Sequence, residues 1–347
     1  MSQGATSAEI KRLALDLGFA RVGIARAEPL TEDAARLRAW LAAGHHGQME
    51  YMQENVEVRG DPQHSGMLPS ACSVIVLATA YARSAALEGP EPGRIARYAQ
   101  GRDYHGLLYD RTRALRRYLR AQGAQVRACV DTLPALERAW AARAGVGFVG
   151  KNACIIVPGL GSHVLLSLIV TSAQLDPDEP LRERCGECRL CLDACPTHAF
   201  VGERQLDARR CIAYLTIEHD GAIDESLRAD MGPWLFGCDV CQDVCPFNRR
   251  GQRQDAPSVP DPFAPRGRLT ELGAEDFLHM DEACFDRYSR GSALRRAGRE
   301  SMARNAAIVL GNSRERRYLP VLSRAAESDG SAVVREAARW AVDRLRD

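Results

Sequence analysis

The chain has 347 residues, 46% hydrophobic and 26% charged, a composition that suits a globular protein of two or three domains and argues against a disordered chain. Its 46 basic and 45 acidic residues leave a formal net charge of +1, which by itself points to no polyanionic partner. No apolar run approaches the ~20 residues of a membrane span, and the opening MSQGATSAEIKRLALDLG has neither a signal-peptide core nor a twin-arginine signal, so a cytoplasmic chain with no membrane contact is expected.

Residues 7–18 (SAEIKRLALDLG) read as a helix with Ser7 as N-cap and Gly18 closing it. RVGIA (21–25) reads as a strand and 31–43 as a second helix. SVIVLATAY (73–81), rich in β-branched residues, has the pattern of a buried strand. LLYDRTRALRRYLRA (107–121) reads as one amphipathic helix, and QVRACVD (125–131) as a strand. NACIIV, PGLGS and HVLLSLIVTS (152–172) suggest a hairpin. Residues 1–175 thus form a mixed α/β (α+β) domain. Asp176–Pro180 reads as a linker, 176–250 as a cysteine-dense domain, and 251–289 as a proline-bearing connector. Residues 290–347 are alanine-rich and helical. There RNAA (304–307) and REAA (335–338) repeat one register, in the style of a HEAT-like helix pair or a plain helical hairpin.

Twelve cysteines in a chain without an export signal favour metal or redox chemistry over a disulfide framework. Cys185, Cys188, Cys191 and Cys195 follow C-x2-C-x2-C-x3-C and precede Pro196, the run bacterial ferredoxins use for [4Fe–4S] clusters. Cys238, Cys241 and Cys245, followed by Pro246, repeat it with Leu235 in the first place, and Cys211 fills the gap. Eight thiolates serve two [4Fe–4S] clusters, in a ferredoxin-like domain. By ferredoxin logic Cys185, Cys188, Cys191 and Cys245 hold one cluster, and Cys195, Cys211, Cys238 and Cys241 the other. Zinc tetrads, the alternative, come as separated C-x2-C pairs without the trailing Cys-Pro. Cys72, Cys129, Cys154 and Cys284 read as packing residues.

Other features leave two readings open. Gly145, Gly147 and Gly150 form a loop that either approaches a ligand or merely turns, and the lysine after them fails the Walker spacing at Asn152. Lys151 is one of only two lysines, which suits a point donor where arginine would not serve. Asp131 either points into a cleft from a strand end or caps a helix near Pro134. Tyr98–His105 gathers aromatic and titratable groups, as an active-site loop or as ordinary surface.

GRDYH (101–105), VDT…ER (130–138), GKN (150–152), CGECRLCLDACPT (185–197), LDARRCIAYLTIE (206–218), FGCDVCQDVCPFN (236–248) and GSALRRAGRESMARNAAIVLGN (291–312) together resemble the epoxyqueuosine reductases, in order and over essentially the whole chain. The resemblance implies a cobalamin-binding N-terminal domain beside the two clusters, and reduction of epoxyqueuosine to queuosine in the tRNA anticodon. It implies Asp131 as proton donor, and the chemistry asks for a carboxylic acid kept protonated near neutral pH by burial beside apolar groups and a low-dielectric macrocycle. It further places Arg59, Ala96, Asp131, Ile155, Leu166, Ala213, Glu218 and Asp239 at the cobalamin. One departure stands out: LLSLIVTS (165–172) replaces a segment in which relatives carry Gly or Ala followed by Glu.

A tRNA partner revises the reading of net charge. Residues 287–347 carry 14 arginines against seven carboxylates, so the near-neutral whole averages an acidic body and a basic tail. Arg295, Arg296, Arg299 and Arg304 fall at helical spacings and are expected to contact tRNA phosphates, a solvated helix surface being the alternative. An unidentified low-potential electron donor and a monomeric state complete the expectation. A reductive dehalogenase-type enzyme and a non-catalytic ferredoxin-like carrier are the rival readings.

Overall fold

The structure, a computed structural model, describes residues 5–81, 92–251, 263–264 and 272–347. Of the expected connector at 251–289, residues 252–262 and 265–271 lie outside these, and its second half holds the helices Ala274–His279 and Glu282–Ser289. Helix α1 (Ser7–Asp16) opens one residue earlier than Ser7 suggested: Thr6 is the cap, paired with Glu9 in a capping box. Ser7 instead accepts the Asp176 amide through its hydroxyl at 2.7 Å. Gly18, at φ +84°, closes the helix as expected.

Four strands, β1 (Arg21–Arg26), β2 (Ser73–Ala80), β3 (Val126–Cys129) and β4 (Val164–Thr171), form an antiparallel sheet in the order β1-β2-β4-β3. The uninterrupted apolar run of β2 follows from its burial on both faces. Ile75 and Leu77 point to α1 and to helix α4 (Arg113–Ala121), whereas Val74 and Val76 meet helix α5 (Glu137–Arg143). Gly23 on β1 permits that second contact, since a Cβ there would lie 2.0 Å from the Ala144 carbonyl oxygen. Helix α2 (Thr31–Ala42) matches its expected position. The expected helix at 107–121 is two, α3 (Tyr104–Arg111) and α4, divided at Thr112.

The expected hairpin at 152–172 does not form. Ile155–Ile156 pairs with Phe148–Val149, while β4 spends both edges on β2 and β3. An isolated bridge, Val157 to Gly161, closes the PGLGS turn. The supposed linker is clasped to the sheet: Asp178 accepts the Ile24 amide at 2.9 Å and pairs with Lys11 at 2.5 Å.

The cysteine-bearing segment docks through a short parallel pairing of Arg94–Ile95 with Trp234–Phe236. Its apolar residues from Ala208 to Phe236 share one core with helices α6 (Gly298–Asn312), α7 (Leu319–Ser328) and α8 (Ala332–Arg346). Arg304 stitches that core and is 1% exposed, which removes it from any RNA-binding face. Its guanidinium donates to the carbonyls of Leu215, His219 and Gly221, each at 2.7 Å, and to Asn305 Oδ1. Desolvation lowers its pKa to about 10. Arg304→Ala strands the buried Leu215 carbonyl and the half-buried carbonyls of His219 and Gly221, and a thermal or urea melt should show a loss of about 2–4 kcal/mol. A loss below ~1 kcal/mol would return Arg304 to the surface class.

Candidate active site and cluster cavity

The fold draws the seven cysteines of the two runs, with Cys211 as the eighth, into two electrostatic neighbourhoods. Cys191 feels the charges of Cys245 and Cys188, and Cys185 feels Cys191. Cys238 feels Cys211 and Cys195, and Cys241 feels Cys211 and Cys238. Cys185, Cys188, Cys191 and Cys245 line one cavity of about 210 Å³, roofed by Lys151 and Phe247. Among the described residues no three His, Cys, Asp or Glu converge on a single ion. Four thiols spread around a volume that size suit a cubane, which presents separate corners, better than one zinc ion.

The GKN loop joins the two neighbourhoods. The Lys151 amide donates to Cys185, and its ammonium pairs with Glu203 at 2.8 Å. Asn152 donates to the Cys241 carbonyl at 3.3 Å and accepts the Cys154 amide at 3.2 Å. The loop is therefore a clasp over the cysteines and carries no sign of a phosphate cradle. Of the four cysteines read as packing, Cys129 is buried, whereas Cys72 is exposed and Cys154 touches Cys241.

Asp131 follows β3 in a left-handed conformation, φ +56°. It does not cap α5, whose N-cap is Leu136. Its side chain is 57% exposed, yet desolvation still acts on it, as on a group at the floor of a cleft. Tyr104 Oη donates to Asp131 Oδ2 at 2.5 Å, and His105 Nε2 lies 3.4 Å from the same oxygen. His105 Nδ1 is held by Asp103 Oδ1 at 2.7 Å. Asp103, then Asp131, raise the imidazole pKa to about 9. His105, with Tyr104 supporting, lowers that of Asp131. In this structure its hydrogen-bond donors outweigh burial, so the carboxylate form of Asp131 is favoured beside a protonated His105, whereas the protonated acid was expected for burial against a macrocycle. Glu137 Oε1 accepts the Asp131 amide at 2.8 Å, and desolvation followed by the Asp131 charge raises its carboxyl to about 7.

The remaining expected cofactor residues scatter in exposure. Ala96, Ile155, Leu166 and Asp239 are buried, and Arg59, Ala213 and Glu218 are half-buried. Asp239 Oδ2 accepts the Arg97 amide at 2.9 Å, and desolvation raises its pKa to about 6. Its Oδ1 and Arg59 Nε are buried without partners among the described residues. Tyr98 feels Asp131, Asp239 and Glu218 together, which puts these acids around one ring. Among the basic residues, Arg299 is taken up by Asp329 at 2.5 and 2.9 Å and by the Met280 carbonyl, so like Arg304 it is structural. Arg295 and Arg296 stay at the surface, 61% and 59% exposed. Sequence reasoning gave no roles to His105, Glu137 or Tyr51, although GRDYH and VDT…ER contain the first two.

Residues 184–248 match the family profile of a 4Fe-4S double cluster binding domain. Two cluster sites beside a cleft with a charged acid–imidazole pair define an iron–sulfur oxidoreductase. Residues 59–132 match the profile of epoxyqueuosine reductase QueG. The chain is 41% identical to an epoxyqueuosine reductase of Xanthomonas campestris over 344 residues, 97% of this chain and 95% of the relative. It is 38% identical to that of Escherichia coli over 88% of this chain and 80% of the relative. A crystal structure of epoxyqueuosine reductase with an epoxyqueuosine-modified tRNA stem loop superimposes with TM-score 0.89 at 31% identity, covering 98% of this chain and 90% of that one. A Bacillus subtilis structure, with its aspartate catalytic loop swung out of the active site, matches with TM-score 0.87 at 29% identity, over 97% of this chain and 90% of that one. The chain belongs to the epoxyqueuosine reductase family.

Proposed function

We propose that this protein reduces epoxyqueuosine to queuosine in the anticodon of tRNA, using two [4Fe–4S] clusters and cobalamin. Asp131 carries the reading, set between Tyr104 and His105 on the floor of a cleft beside the cysteines. The residues fit both kinds of group. The thiols surround a cubane-sized cavity, and the orphaned Asp239 Oδ1 and Arg59 Nε offer an acceptor and a donor to the amide fringe of a corrin. Asp131, Ala96, Ile155, Leu166, Ala213 and Glu218 complete the proposed corrin surroundings. The protein acts as a monomer fed by a low-potential donor, with residues 1–175, 176–250, 251–289 and 290–347 as corrin, cluster, connecting and HEAT-like helical regions.

Loss of the epoxide oxygen as water takes two electrons and two protons and leaves an alkene. When bound, the clusters supply single electrons and the cobalt supplies a centre where two can be used together. The chain's own task is the protons. His105, held by Asp103, is protonated at neutral pH and stands 3.4 Å from Asp131 Oδ2. A proton passes from His105 Nε2 to Asp131 Oδ2 and on to the departing oxygen. Tyr104, whose own ionisation is suppressed by burial and then by Asp131, remains a donor and holds the carboxylate in aim. Glu137 fixes the backbone of Asp131 in its left-handed turn.

Anaerobic reconstitution with iron, sulfide and cobalamin tests the proposal. Corrin absorption should survive gel filtration beside about eight irons per chain, and an epoxyqueuosine stem loop should be converted. Failure to retain any corrinoid would favour the electron-carrier reading. Dehalogenation of small aryl halides without RNA turnover would favour the dehalogenase reading.

A further inference from the structure

We infer that Tyr51 is a stacking platform for a nucleobase of the anticodon loop, placed at the mouth of the cleft with Arg296 as its flanking cation. The inference rests on the tRNA reading above and assigns one side chain of that surface. Tyr51 lies on the short turn Glu50–Met52, away from every apolar core, and is 40% exposed. Its hydroxyl has no hydrogen-bond partner among the described residues. The ring is nevertheless held in place. Arg59 Nη2 donates to the Tyr51 carbonyl at 2.7 Å, and the Arg296 guanidinium lies 5.7 Å from the ring centroid. Arg296 is itself fixed by Glu218, at 3.2 and 2.7 Å. An aromatic face that is both fixed and uncovered needs an occupant more than a rotating surface tyrosine does.

Position and charge select the occupant. Asp131 acts electrostatically on both Tyr51 and Arg296, so the ring lies within electrostatic range of the reacting group. The Asp103 amide donates to the Gly291 carbonyl at 2.9 Å, which brings the GRDYH loop and Arg102 to the start of the arginine-rich segment. Because Glu218 neutralises Arg296, this spot suits the π-face of a base better than a phosphate. Phosphates fall to the exposed Arg102, since Arg295 is itself paired with Asp286 at 2.8 Å. Stacking of this kind tolerates sequence and leaves no counterion signature.

Fluorescence anisotropy of a labelled anticodon stem loop on the reconstituted protein tests the inference. Tyr51→Ala should weaken binding roughly 5- to 100-fold with no change in the slope of log K against log salt. Tyr51→Phe should bind as the parent does. Arg102→Ala should reduce the slope by about 0.7–1. Three results would overturn the platform: Tyr51→Ala binding within about twofold of the parent, Tyr51→Phe failing as Ala does, or corrin absorption lost from Tyr51→Ala on gel filtration, which would put the ring against the cofactor. A parent protein that binds no stem loop would instead overturn the tRNA reading and the platform with it.

Discussion

Asp131→Asn should lower turnover of the epoxide by about 10²–10⁴-fold while iron content, corrin absorption and stem-loop affinity stay unchanged. Asparagine matches the carboxylate in shape, still accepts from Tyr104 and leaves the Glu137 tether to the backbone amide in place. It cannot receive a proton from His105. The pH profile provides an independent reading. The imidazole pKa is raised to about 9 by Asp103 and Asp131, so the protonated form is complete below the ordinary histidine range and is lost as pH rises through about 9. The pKa of Asp131 is lowered, so it stays a carboxylate across that window. Turnover should therefore fall on the alkaline side near pH 9, and His105→Gln should remove that limb along with most of the rate. Parent-like turnover in Asp131→Asn would take the residue out of the proton path. A flat profile through pH 9 would do the same for His105.

What the sequence displayed, and what it concealed, follows from where the constraint lay. The cysteine spacings are local, so both runs could be read directly, and Cys211 followed from a ligand count. The sheet was legible where one strand is buried on both faces, as in β2. It misled at 152–172, because turn residues advertise a hairpin whereas pairing is decided by distant strands. The arginines show the same limit. Arg299 and Arg304 have the helical spacing of a binding face, but Asp329 and the carbonyls after Leu215 lie far away in sequence and take them inward. Asp131 was found by motif, whereas the Asp103–His105 pair that faces it was legible only as titratable groups in a separate loop, because the contact is made in the fold. Tyr51 carried no signal, because a single exposed aromatic looks ordinary until Arg296 is brought over it.

Cys211→Ser should cost the protein about half its iron and essentially all turnover, while the cavity of Cys185, Cys188, Cys191 and Cys245 keeps its own cluster. Cys211 lies outside both runs, at the N-cap of the short helix Ile212–Ile217, where the amides of Tyr214 and Ala213 point at its sulfur. Burial raises the pKa of the Cys211 thiol and those amides act against it, as suits a ligand, and the charges of Cys195 and Cys238 place it with the second set. The structure also supplies a competitor. Cys154 lies against Cys241 and within reach of Cys211, so spacing alone does not exclude it as the fourth ligand. Iron analysis and electron paramagnetic resonance of the reduced protein separate the two. Cys154→Ser should keep both signals, as should Cys72→Ser, whose exposed thiol joins neither set. Full iron in Cys211→Ser with half lost in Cys154→Ser would reassign the ligand.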